Sequence, residues 1–488
     1  MNASWRGLVA AVAAGALPAL AFPAPAWWWF AWVSLVPLLW VLRAAPTPRA
    51  GALRAWCGMT AYVVATQYWL LPSAGPLLVV MAAGLGALWL PWGWAAQVML
   101  RGQPTVRATF AAIAVLPSAW VLAEAVRARP GLGGPWAVLG ATQWNQPVTL
   151  ASASLGGVWL TGFLIAAVNT ALVGVILHRR WAVRMVAAAV ALACAVVGPA
   201  WYWLGSAPQS GPAVRVALVQ PGDIDDSTAR QAAGEALTEE LGGRSIDLVV
   251  WGESSVGVDI AGRPEAMAHL ADLSRRVGTD LLVNVDARDR TGAIAKTSVL
   301  IGPDGSRGEY TKMRLVPFGE YLPLRWLFDW AARHTKAAAE DRRRGAALAV
   351  VHTDDLAIGP LISFETTFSD LPRRLVHQGA QLLVYQSSTS TYQGSWAQPQ
   401  LASKVAVHAA EVGHPAVHAG LSGVSAAFDA QGRRIAWYPA AERGVVVVDV
   451  PLGNHTTVFQ RFGDWVLVMA LSILAFAIVF HGWAIRRS

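Results

Sequence analysis

VWGE at 250–253, KMRLVPFGE at 312–320 and ISFE at 362–365 decide how this chain is read, because each sets an ionisable or hydroxyl side chain at or near the end of a short apolar run. The runs around them are β-rich: VRVALVQ (214–220), IDLVVW (246–251), LLVNV (281–285), TSVLI (297–301), LAIGPLI (356–362), LLVY (382–385) and VVVV (445–448). Ala-rich stretches at 228–241 and 264–277 fall between them and read as helices, so the natural class is layered α/β. This polar segment of about 240 residues is enclosed by apolar sequence, with seven candidate spans before it and one after.

Composition separates the two environments. Of 488 residues, 55% are hydrophobic and only 14% charged, which is too apolar for a soluble protein of two or three domains. Residues 1–222 hold a single carboxylate, Glu124, whereas acids are frequent from Asp223 until the last span. The net charge of +8 sits largely as arginine in short loops between spans, so membrane orientation accounts for it and nucleic acid is not expected as a partner. Both cysteines, Cys57 and Cys194, lie in apolar spans; the polar segment has no thiol, and any nucleophile there is another residue type.

The spans are expected near 7–22, 27–42, 55–73, 76–100, 108–126, 157–177, 182–204 and 465–485. The predicted organisation is a seven-span membrane domain over 1–204, a polar domain over 205–463 and a final span over 464–488. Arg43, Arg49, Arg54, Arg101, Arg107 and Arg179 fall in alternate loops, whereas the links at 23–26 and 74–75 carry no charge. The arginine bias places both termini in the cytoplasm and the polar domain outside a plasma membrane, with Arg127 and Arg129 against the trend. A domain tethered in this way suits a substrate drawn from the lipid phase. Glu124, close to Arg127 at a span end, reads as a structural pair ahead of a headgroup contact.

Singly, Glu253, Lys312 and Ser363 have ordinary readings as a helix cap or loop acid, an exposed lysine and a turn serine. Together they form an order: an acid, a base 59 residues on and a hydroxyl 51 further, each beside a predicted strand end. That order and the run YTKMRLVPFGEYLP (310–323), with WGES (251–254) as a shorter second motif, resemble the nitrilase superfamily, whose sites use Glu, Lys and Cys. Within it the chain is most similar to the apolipoprotein N-acyltransferases, the lipoprotein-maturation branch with eight membrane helices, over essentially its whole length.

The resemblance implies an αββα nitrilase-like sandwich beside a polytopic helical membrane domain of about eight spans. It implies Glu253 as general base, Lys312 as oxyanion stabiliser and Ser363 in the nucleophile's position, supported by Glu320 and Glu365. An acyl chain would pass from a membrane phospholipid, through an acyl-enzyme, to the α-amine of the diacylglyceryl-cysteine that begins an apolipoprotein. No cofactor is expected, since an ester already carries an activated acyl group. The expected cysteine is replaced by Ser363, and a hydroxyl is far less acidic than a thiol. Three readings follow: a working serine acyltransferase, a pseudoenzyme kept for binding, or an engineered exchange of the cysteine. As a scaffold the protein would anchor another enzyme of envelope lipid or glycan synthesis; with water as acceptor it would be an amide hydrolase. SSTSTY (387–392) departs from the family's Asn-Asp-Ala-Trp-like run.

Other signals are weaker. His408, His414 and His418 fit no familiar ligand spacing, so no metal is expected and packing or surface roles are. RRR at 342–344 reads as solvated loop, and WLFDW at 326–330 as either a core helix or a membrane-dipping lid.

Overall fold

Alternation of apolar strand runs with amphipathic helices builds two six-stranded sheets in the polar part of the chain. The computed structural model describes residues 4–102, 105–205, 211–288, 292–323, 325–326 and 341–487. The strands are β1 Ala213–Gln220, β2 Leu248–Trp251, β3 Asp280–Arg288, β4 Ile294–Gly302, β5 Gly305–Thr311, β6 Val351–His352, β7 Ala357–Ile362, β8 Leu382–Ser387, β9 Ala416–Gly420, β10 Ser425–Phe428, β11 Arg434–Tyr438 and β12 Gly444–Pro451. One sheet runs β12-β1-β2-β3-β4-β5 and the other β11-β10-β9-β8-β7-β6. Each has a parallel centre, β1-β2-β3 or β7-β8-β9, flanked by antiparallel strands.

Period-two alternation decides how these sheets pack. Val216, Leu218, Leu248, Val250, Leu282 and Leu300 from the first sheet meet Ile358, Leu382, Val384, Val417 and Ala427 from the second in a buried core. The opposite face of the first sheet, with Val219, Val249, Trp251 and Val283, packs on Leu270, Leu273 and Val277 of the helix Pro264–Val277. That helix and Ser227–Glu239 cover one side; Asp370–His377 and Ala397–Val412 cover the other. The four layers are therefore αββα, as expected. The sequence reading had not found β5, β6, β9, β10 and β11. β5 is polar and largely solvent-facing, and the Ala-rich β9 and β10 hold a single β-branched residue between them, Val417, too few to mark a strand.

The chain divides into two compact units, Ser206–Gln460 and a helical unit made of Met1–Gly205 with Arg461–Ser488. Among the described residues, four helices are long and apolar enough to cross a membrane: Leu77–Leu100, Val106–Arg127, Ser152–Leu177 and Trp181–Leu204. Trp5–Ala21, Trp28–Arg43 and Trp465–Val479 are shorter apolar helices. The third expected span, 55–73, is displaced: the helix runs Pro48–Thr66 because Thr47 caps it, accepting from Ala50 N at 3.2 Å, with Pro48 in the first turn. Within Ser152–Leu177 the backbone breaks at Gly156–Gly157, where Gly157 takes φ 68°, a conformation that favours glycine.

Glu124 and Arg127 are both buried and serve the backbone of one loop. Glu124 accepts from Leu139 N at 2.8 Å, while Arg127 and the Tyr62 hydroxyl donate to Ala137 O at 2.6 and 2.8 Å. Arg43 donates to Leu100 O and Gly102 O at 2.9 and 3.0 Å, which brings two of the arginine-bearing loops to the same end of the helical unit.

Candidate active site

Strand ends deliver the site. β2 stops at Trp251 and the chain passes Gly252, where a Cβ would lie 2.3 Å from Leu421 N, so only glycine admits the backbone here. Glu253 follows, almost fully buried, with its N–H donating to Ser387 O at 3.3 Å. Its Oε2 accepts from Ser388 N at 2.9 Å, and its Oε1 accepts from Lys296 Nζ at 2.6 Å with Lys312 Nζ 3.5 Å away. The next residue, Ser254, sits at φ 58°, held by its N–H to Asn284 Oδ1 and its hydroxyl to Asp286 Oδ2 at 2.8 and 2.9 Å.

Lys312 leaves β5 fully buried, its N–H bonded to Lys296 O and its Nζ donating to Glu320 Oε1 at 2.8 Å. Glu320 Oε2 accepts from Val316 N at 2.9 Å, which folds the 313–320 segment back over the lysine. Burial opposes the charge of Glu320, yet Lys312 and Lys296 hold its carboxyl down to about 2.

Ser363 ends β7 at φ 54° and opens the short turn Ser363–Thr367. Glu365, fully buried, clamps that turn: Oε2 accepts from Ile362 N at 3.0 Å, while Oε1 takes the Tyr310 hydroxyl and the N–H groups of Met313 and Arg314 at 2.7, 2.8 and 3.0 Å. Burial pushes the Glu365 carboxyl up, and these donors pull it the other way. The serine turn is thus tied to the two residues that follow Lys312. Among the described residues, no hydrogen bond joins Ser363 to Glu253 or Lys312.

Of the residues singled out in the sequence, Glu253, Lys312 and Glu320 meet in one cluster, and Glu365 links Ser363 to that cluster's edge. Several partners had gone unnoticed. Lys296, on β4, stands in register with Asp286 on β3 and lies 3.6 Å from both Asp286 Oδ2 and Glu320 Oε1. Burial disfavours its charge, but Glu253, Glu320 and Asp286 together raise its pKa above the ordinary ammonium range. Arg342 corrects the reading of 342–344 as solvated loop: it is only partly exposed, its Nη1 is 2.5 Å from Asp286 Oδ1, and its N–H donates to Glu320 O. Asp286 is lowered against burial by Lys296 and Arg342. Tyr392, in the segment where the sequence departs from the family pattern, has its hydroxyl pKa raised by burial and by the charges of Glu320 and Glu253.

The histidines are packing groups, except that none of the three lies open on the surface. His408 bonds Glu411 Oε2 and Thr366 O, each at 2.8 Å. His418 bonds Ser387 Oγ and Val424 O at 2.6 and 2.7 Å, and burial takes it down to about 4. His414 is partly buried beside Val412 O. Of 326–330, Trp326 is exposed and the rest lies outside the described residues.

A pair of face-to-face sheets with an acid and a lysine converging at strand ends defines a nitrilase-like domain, and residues 215–458 match the carbon-nitrogen hydrolase family. Residues 14–171 match the apolipoprotein N-acyltransferase N-terminal domain. The chain is 30% identical to an apolipoprotein N-acyltransferase of Pseudomonas putida, covering 99% of this chain and 97% of that protein. It is 28% identical to the one from Geobacter metallireducens, over 99% and 96%. The chain belongs to the apolipoprotein N-acyltransferase family. Among solved structures, a carbon-nitrogen hydrolase from Helicobacter pylori aligns at 14% identity over 49% of this chain and 89% of its own, with a TM-score of 0.37.

Proposed function

We propose that this chain transfers a fatty acyl group from a membrane phospholipid to the α-amine of the diacylglyceryl-cysteine of an apolipoprotein, through an ester on Ser363. The observation that carries the reading is the cluster of Glu253, Lys312 and Glu320 beside a serine turn clamped by Glu365. Acyl transfer from an ester needs a nucleophile, a base for its proton and fixed positive charge where the oxyanion grows. In the first half-reaction Glu253 takes the Ser363 proton as Oγ bonds to the ester carbonyl carbon. Lys312 stabilises the tetrahedral oxyanion, which collapses with cleavage of the ester C–O bond, and the proton on Glu253 goes to the departing lysophospholipid oxygen. In the second half the lipoprotein amine attacks the serine ester, gives a proton to Glu253, and Ser363 leaves and regains it. Such catalytic contacts tighten when substrate is bound.

The arginine bias supports a plasma-membrane location with both termini cytoplasmic and the nitrilase-like domain on the outer face, where the apolipoprotein and the phospholipid headgroup meet it. Eight crossings would give that topology. The serine itself favours a second reading, a binding scaffold with a degenerate site; retention of Glu253, Lys312, Glu320 and Glu365 favours the first.

Incubation with phospholipid alone tests the proposal. An acyl ester on Ser363, seen by mass spectrometry, is expected in the unaltered protein and absent in Ser363→Ala and Glu253→Gln. Ser363→Cys should acylate at least as well, since a thiolate forms more readily. An adduct in Ser363→Cys but never with serine supports the scaffold, and no adduct in either rejects the assigned site.

A further inference from the structure

We infer that Lys296 is a positioning residue for the base, a second lysine whose short hydrogen bond to Glu253 orients that carboxylate toward Ser363 and keeps a fixed positive charge beside it. This rests on the acyl-transfer reading above. The geometry divides the two lysines: Lys312 Nζ is 2.8 Å from Glu320 and 3.5 Å from Glu253, whereas Lys296 Nζ is 2.6 Å from Glu253 and 3.6 Å from Glu320. The short hydrogen bond to the base therefore comes from Lys296. A carboxylate offers about four acceptor positions. Here Oε1 faces both ammonium groups and Oε2 takes Ser388 N, which leaves room on Oε2 for an incoming hydroxyl proton.

Lys296 is itself held. The β3–β4 register sets it opposite Asp286, and Asp286 is fastened by Arg342 at 2.5 Å and by the Ser254 hydroxyl at 2.9 Å. Three cations, Lys296, Lys312 and Arg342, thus balance three carboxylates, Glu253, Glu320 and Asp286. When Lys312 turns its charge to the oxyanion, Lys296 remains with the base. The other titratable groups facing Glu253 add no cation near neutral pH: Tyr392 is pushed up by burial and by Glu320 and Glu253, and burial lowers His418 to about 4. Removing the Lys296 charge leaves the cluster one negative charge in excess, so the cluster as a whole takes up a proton more readily as pH falls.

The test is single-turnover formation of the Ser363 ester from phosphatidylethanolamine micelles, followed by intact-protein mass spectrometry across pH, using the full chain. Lys296→Met and Lys296→Gln should move the acid limb of the rate profile up by about one unit or more, the size of effect expected from an opposite charge at this distance. That is a loss of about tenfold or more on the acid side, shrinking toward alkaline pH. Lys296→Arg should restore the wild-type limb, whereas Lys312→Met should depress the rate at every pH. A Lys296→Met or Lys296→Gln limb that superimposes on wild type overturns the inference, as does a uniform loss that arginine fails to rescue. Should both neutral variants fail to fold while Lys296→Arg folds, the charge serves stability and not the base, which also overturns it. Wild type that never acylates at any pH rejects the acyl-transfer reading, a failure distinct from these.

Discussion

Replacing Lys312 with methionine tests the charge at the centre of the site, and its effect has two parts that can be separated. Lys312 is fully buried, with its Nζ 2.8 Å from Glu320 Oε1 and 3.5 Å from Glu253 Oε1. Methionine fills similar volume but leaves Glu320 with Lys296 at 3.6 Å as its nearest remaining ammonium. Breaking one side of a buried ion pair costs about 3–5 kcal/mol, chiefly because a buried charge is stranded. Partial compensation by Lys296 puts the expected loss at the lower end, about 3 kcal/mol. Lys312→Met/Glu320→Gln removes the stranded charge and should recover most of that stability. The catalytic part is not recoverable: without fixed positive charge at the oxyanion, acyl transfer should fall about 10²–10³-fold in both variants. Thermal unfolding in detergent micelles reads the first part, and the rate of acyl transfer to a diacylglyceryl-cysteine peptide reads the second. A folded double variant with undiminished transfer would remove Lys312 from the mechanism.

Two further outcomes are expected. Glu320 is held down to about 2 from an ordinary 4.5, so its contribution to stability is complete above the unfolded value and disappears as pH falls from about 4.5 to about 2. A shift of that size corresponds to about 3 kcal/mol, and the stability of Glu320→Gln should therefore decline less steeply than wild type across this window; parallel curves would contradict the assigned pairing. An impermeant thiol reagent should label a cysteine placed at Gln231 in intact cells, whereas labelling only after lysis would reverse the proposed orientation.

Much of the architecture was legible because it depends on local pattern. Apolar runs long enough to span a bilayer, and β-rich runs alternating with amphipathic helices, report their environment residue by residue. Span boundaries were less legible where capping decides them, as at Thr47 and Pro48. Edge and Ala-rich strands such as β5, β9 and β10 stayed hidden, because their stability comes from pairing and burial within a sheet and not from intrinsic preference.

The site divides in the same way. Glu253, Lys312, Glu320, Ser363 and Glu365 stand in runs specific enough to be picked out from the sequence alone. Lys296 sits in an unremarkable strand, Asp286 at the far end of another and Arg342 in what reads as a basic surface patch. Their roles come from the β3–β4 register, which sets Asp286 opposite Lys296, and from the return of the chain that brings Arg342 to Asp286. The sequence by itself determined the two environments, the layered α/β class, with the αββα order implied by the resemblance, and the types of group available for acyl transfer. Tertiary structure alone decided which lysine lies closest to Glu253, because charges 43 and 59 residues away from it in the chain are ranked only by distance and burial in the folded state.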